Sequence, residues 1–107
     1  MSELGNLQRK MAIMVGRLIV HTYDVLGYEL TLGEGFDDDN TGHMKGSTHY
    51  VKLGQDLNLF LNGVWLDKGP EMEKGFGLMH DYWDSMGGAK RIANDLNHFS
   101  LLYQGRR

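Results

Sequence analysis

Four side chains in this sequence are of the types that do hydrolytic chemistry together: His49, Asp56, Asp95 and His98. The first two lie in the stretch "STHYVKLGQDLNLF", Ser47 to Phe60, and the last two in "NDLNHF". Two imidazoles and one carboxylate make three ligands for zinc, and an open fourth position lets a metal lower the pKa of a bound water to about 7. A second carboxylate nearby then takes a proton from that water and passes it to a leaving amine. His49, Asp56 and His98 are the candidate ligands, and Asp95 is the candidate base. The spacing sets a condition. His49 and Asp56 are too far apart to share a helical face, and on one straight strand they would stand roughly 23 Å apart. They converge only if the chain turns between them, and Lys52-Leu53-Gly54 permits that turn. Asp95, three residues before His98, can sit beside the imidazole without being a ligand.

The remaining histidines read differently. His21 and His80 fall in helical patterns, where they mark a helix surface or a satisfied edge of the core. His43 lies in a glycine-rich loop and reads as solvated.

The elements that must position these residues follow from periodicity. Leu4, Leu7, Met11, Met14, Val15, Leu18, Thr22, Val25 and Leu26 recur at three- and four-residue steps, which predicts a helix starting at Ser2-Glu3 and stopping at Gly27. Its methionine-rich stripe reads as core-facing. Tyr28 to Leu32 alternates and predicts a strand. Gly33, Gly35, the acidic run Asp37 to Asp39, Asn40 and Gly42 then break regular structure. That run lacks the ligand spacing of an EF-hand loop and reads as a solvated turn. Leu53 to Leu61 and Val64 to Leu66 flank Asn62-Gly63, a strong hairpin signal, because a type I′ turn needs positive φ at both central residues. Pro70 opens a second helix, about Glu71 to Met86, ended by Gly87-Gly88, with Phe76, Met79, Tyr82, Trp83 and Met86 on one face. A last strand is expected from about His98 to Tyr103. The order predicts one α+β domain over residues 1–107, with two main helices on a small antiparallel sheet.

Composition narrows the function classes. A length of 107 residues suits one domain and one modest core. The 41% hydrophobic and 23% charged fractions are ordinary for a globular chain, and the net charge of -3 leaves no footprint for nucleic acid. There is no cysteine, so thiolate metal sites and disulfides are excluded. Met11 to Val20 is interrupted by Gly16 and Arg17, which fits neither a secretory leader nor a membrane span. The expectation is a protein made in a cytoplasm without a signal peptide and without membrane insertion. The sequence sets no oligomeric state.

The motifs together resemble a known family. Ser47-x-His49, six residues, Asp56, and later Asp95 three before His98, resemble the zinc D-alanyl-D-alanine carboxypeptidase and L-alanyl-D-glutamate peptidase family. That family includes VanX- and VanY-type enzymes and small phage endolysins. The run Leu57 to Phe60, the "YWDSMGG" helix end and "LNHFS" resemble the phage branch, and the likeness extends from about Glu29 to the C-terminus. It implies a Hedgehog/DD-peptidase-like fold, Zn2+ on His49, Asp56 and His98, Asp95 as general acid and base, and Ser47 positioning the substrate. The implied substrate is the peptide stem of bacterial peptidoglycan. The implied place of action is the cell wall, after release or in a phage particle. Two departures stand out. Asp37 occupies the position where relatives carry an arginine, and "AKRIA" replaces a Trp-Gly-Gly segment after Gly88. Arg91 is the candidate substitute for the missing positive charge. A metal-retaining but inactive cell-wall or virion module is therefore the competing expectation.

Overall fold

The computed structural model describes residues 2–36 and 47–107. Its elements are helix α1 (Glu3–His21), a π-helical turn (Thr22–Leu26), strand β1 (Glu29–Leu32), a 3-10 turn (Thr48–Val51), strands β2 (Gly54–Leu61) and β3 (Val64–Trp65), helix α2 (Pro70–Ser85) and strand β4 (His98–Ser100). This is a small α+β fold, as the element order predicts.

The long strand β2 organises the sheet. β1 pairs antiparallel along one edge of it, with Leu32 opposite Leu57 and Glu29 opposite Phe60. β3 and β4 both pair antiparallel with β2, β3 at Phe60 and Leu61, and β4 at Gly54 to Asp56. Side chains alternate across a strand. Leu57 and Leu59 are therefore buried on one face, while Asp56 and Asn58 point to the other. Both helices contribute to the core on the leucine face, where Met11, Met14, Leu18, Phe76, Met79, Trp83 and Phe99 pack with Leu57 and Leu59. Truncating any of these leucines to alanine would cost about 2–5 kcal/mol.

Local chemistry fixes the element ends. Ser2 caps α1 by accepting the Gly5 N–H at 3.0 Å. Asn62 and Gly63 adopt φ of 51° and 77°, as the hairpin signal requires. After Ser85 the chain turns at Gly87, and Gly88 lies so close to Trp83 that a Cβ there would sit 2.0 Å from its Nε1. Trp83 in turn donates Nε1–H to Ser100 C=O at 2.9 Å, tying α2 to β4.

Three expectations need correction. The first helix does not run as one α-helix to Gly27, because its last turn widens into a π turn in which Thr22 Oγ1 donates back to Leu18 C=O at 2.7 Å. The extra residue per turn rotates Val25 out of the apolar stripe, leaving it 68% exposed. The last strand ends at Ser100 rather than Tyr103, which instead bridges Arg106. His80 is fully buried rather than at a helix surface or core edge. Among the described residues no helix is long and apolar enough to cross a membrane.

Candidate metal centre

The chain makes the turn that the spacing of His49 and Asp56 demands. Ser47 Oγ accepts the His49 N–H at 3.2 Å and starts the 3-10 turn. Lys52 ends it in the left-handed region, at φ 60° and ψ 31°. Leu53 N–H then donates to Thr48 C=O at 3.0 Å, so the strand begins immediately beside the imidazole. Asp56 lies directly opposite His98 in the β2–β4 register, which puts both side chains on the same sheet face.

The result is a buried triad. His49 and His98 are almost wholly buried, and the Asp56 side chain is 19% exposed. His49 Nε2, His98 Nδ1 and Asp56 Oδ1 stand 3.2 Å apart pairwise. The rings are tilted by 60° to one another, and one nitrogen of each meets the Asp56 oxygen in the cluster. These three groups could hold a metal ion.

The other nitrogen of each ring is also engaged. His49 Nδ1 lies 2.5 Å from Gly35 C=O, and His98 Nε2 lies 3.3 Å from the hydroxyl of buried Thr48. A metal-ligating imidazole characteristically donates its second N–H to a carbonyl or another acceptor, which fixes the tautomer and the ring plane. The donor set therefore fits a metal: one lone pair from each ring faces the cluster, and each N–H is spent elsewhere.

Glycines make this arrangement possible. A Cβ on Gly54 would lie 2.7 Å from Thr48 Oγ1 and 2.8 Å from His98 Cε1. Gly33 N–H donates to Asp56 C=O while Asp56 N–H donates to Glu34 C=O, both at 2.8 Å, so two residues oppose one in a β-bulge. That bulge carries Gly35 C=O to His49.

The electrostatics follow. Burial alone would raise the Asp56 pKa, but hydrogen bonds from His49 and His98 and their charges pull it down to about 2. Burial alone would lower His49, yet Asp56 and the Gly35 carbonyl outweigh it and raise the net value.

The other candidates fall outside the triad. Asp95 is exposed, and its C=O accepts the His98 N–H at 3.1 Å, so a single tight turn ties it to a triad residue. Arg91 donates to Asp81 at 2.9 Å and to Asp84 at 3.2 Å on α2, which engages it away from the triad. Asp37 and His43 lie outside the described residues. Sequence reading missed Thr48, took Gly35 only as a breaker and Gly54 only as part of the turn. Only Thr48 carries a signal, a hydroxyl next to a candidate ligand; a backbone carbonyl and a missing side chain have no residue-type signature. Comparison with family models, with curated proteins and with solved structures finds no match for this chain.

Proposed function

We propose that this chain is a zinc-dependent peptidase that hydrolyses an amide bond in the peptide stem of bacterial peptidoglycan. The observation that carries the reading is the His49–Asp56–His98 triangle with its two outer hydrogen bonds. The centre of a regular tetrahedron of 3.2 Å edge lies about 2.0 Å from its corners, the length of Zn–N and Zn–O bonds. Among the described residues the group supplies three protein ligands, and three protein ligands are the pattern of catalytic rather than structural zinc. Bound there, zinc supplies Lewis-acid polarisation of a carbonyl and activation of water at neutral pH.

The protein's own residues supply the rest. Asp95, exposed and one turn from His98, takes the proton of the attacking water on its carboxylate. It then delivers that proton to the nitrogen of the departing amine. Ser47 uses Oγ as an acceptor for His49, which leaves its O–H to donate to a substrate carbonyl. The peptidoglycan substrate class comes from the motif resemblance.

One observation favours a second reading. Arg91 is held by Asp81 and Asp84, so it does not replace the arginine missing at Asp37. A metal-retaining module that binds cell wall without cutting it fits that loss. Digestion of purified muropeptides by zinc-loaded wild type and Asp95→Asn separates the two. The peptidase reading expects cleavage by wild type and a loss of about 10²- to 10⁴-fold in the variant, with zinc retained. Equal rates in both would remove Asp95 from the mechanism, and no cleavage by either would favour the binding module.

A further inference from the structure

Helix α1 buries one stripe and leaves a second one bare. Met11, Met14 and Leu18 face the core, while Ile13, Val20 and Val25 stand 56%, 58% and 68% exposed on the outer side. These three, with Gly16, Arg17 and Asp24, line a groove of ≈ 620 Å³, and the stacked rings of His21 and Tyr82 border it. The π turn, which takes Val25 out of the core stripe, carries it and Asp24 to this groove. A contiguous apolar face on a surface helix is the kind that packs against another element.

Two observations select a second copy of this chain as that element. The first is Gly16. A glycine inside a helix is destabilising relative to alanine, and a Cβ there would meet nothing within 4 Å among the described residues, so the chain's own packing does not require it. It leaves a notch where a facing helix can approach closely. The second is charge. Arg17 and Asp24 are both exposed and lie two turns apart on the same groove, about 10 Å along the axis. Neither forms a hydrogen bond or ion pair among the described residues. A two-fold axis between Val20 and His21 exchanges positions 17 and 24, so this face complements itself.

We propose that two copies of this chain pair through the outer faces of α1, antiparallel about that axis. Arg17 of each copy meets Asp24 of the other, twice by symmetry, with Val20 at the centre of the contact. Strand β2 turns Leu57 and Leu59 toward the helices and Asp56 away from them, so the pairing keeps both triads outside the interface. It holds whether or not the triad cuts a peptide.

The test is sedimentation equilibrium of the zinc-loaded full chain over a micromolar to millimolar series, which should show monomer–dimer exchange. Arg17→Asp and Asp24→Arg each set like charges against each other across the axis, and each should self-associate about 10-fold more weakly than wild type. Mixed in equal amounts, the two variants regain both opposite-charge pairs. The mixture should therefore form a heterodimer of wild-type strength, weakened by high salt. Val20→Asp should stay monomeric with wild-type zinc content and helicity. A wild type that is monomeric throughout, reversed variants that dimerise as well as wild type, or a mixture that associates no better than its parts overturns the proposal. Monomeric wild type that instead sediments with neutral phospholipid vesicles, when Val20→Asp does not, would give the face to a membrane surface.

Discussion

Among the described residues two regions bury imidazoles, and they do so in opposite ways. His49 and His98 lie 2% and 4% exposed and share a carboxylate between them. His80, at 0%, stands alone in α2. Its Nε2 lies 2.7 Å from Leu96 C=O, and its ring stacks on Phe99 at 4.1 Å. Among the described residues its buried Nδ1 has no hydrogen-bond partner. Burial lowers the His80 pKa, only partly offset by Leu96, whereas Asp56 outweighs burial at His49 and raises it. Burial depth is therefore not what marks a metal site. Convergence of ring nitrogens on one carboxylate marks it, together with second nitrogens already occupied. His80 is a packing residue that braces the turn leading to His98.

The sharpest way to break this distinction is to remove one imidazole from each region. His98→Ala should abolish stoichiometric zinc binding, measured by metal analysis after dialysis. It should also remove the stabilisation that zinc gives wild type, about 4 kcal/mol when free zinc is a thousandfold above Kd. Wild-type zinc content in that variant would end the triad assignment. His80→Ala should act the other way round. It deletes a stacked ring and leaves the Leu96 carbonyl without its donor, a loss of about 3 kcal/mol in denaturant unfolding. Below its melting temperature it should still bind one zinc per chain. Zinc loss there without unfolding would make His80 part of the metal site.

How much of this was legible in the sequence depends on how local the determinants are. The Asn62-Gly63 hairpin and the Pro70 helix start are written in adjacent residues, and both appear where expected. The triad is legible as residue types and spacing, and so is the need for a turn near Lys52. Its closure was not legible, because it depends on the register that puts Asp56 opposite His98, forty-two positions away. Val25 was misplaced because one extra residue in a π turn shifts a periodic pattern without altering it. His80 was misplaced because a lone polar residue in a helix looks like surface. Gly33 and Gly35 read as breakers, yet they form the bulge that delivers a carbonyl to His49.

The outer hydrogen bonds sharpen the comparison further. Thr48→Val keeps the shape of a fully buried side chain and removes the hydroxyl beside His98 Nε2. Zinc affinity, measured by competition with a chelating dye, should fall about 10- to 100-fold, the usual cost of losing an outer-shell partner. The fold should survive. Unchanged affinity would mean that Thr48 is only core.

The smallest effect is also the one that sets the two regions most directly against each other: the pH dependence of the metal-free protein. A histidine whose folded pKa is raised adds stability below its unfolded value of about 6.5, and that stability is lost as pH rises through the folded value. His49 is in this class. A histidine whose folded pKa is lowered must stay neutral in the fold, so stability falls as pH drops below about 6.5 toward its folded value. His80 is in this class. Their slopes therefore have opposite signs on either side of pH 6.5, each limited to about 1.4 kcal/mol per pH unit by the release of one proton. Urea unfolding in the presence of a chelator, from pH 5 to pH 8.5, should show the wild type losing stability in both directions from that region. His80→Phe, which keeps an aromatic ring against Phe99, should flatten the acid side alone. His49→Asn should flatten the alkaline side alone, because the ion pair with Asp56 is what the rising pH dissolves. If either variant flattens both limbs, the two imidazoles are coupled rather than independent. If neither limb changes, the opposite environments assigned to them are wrong.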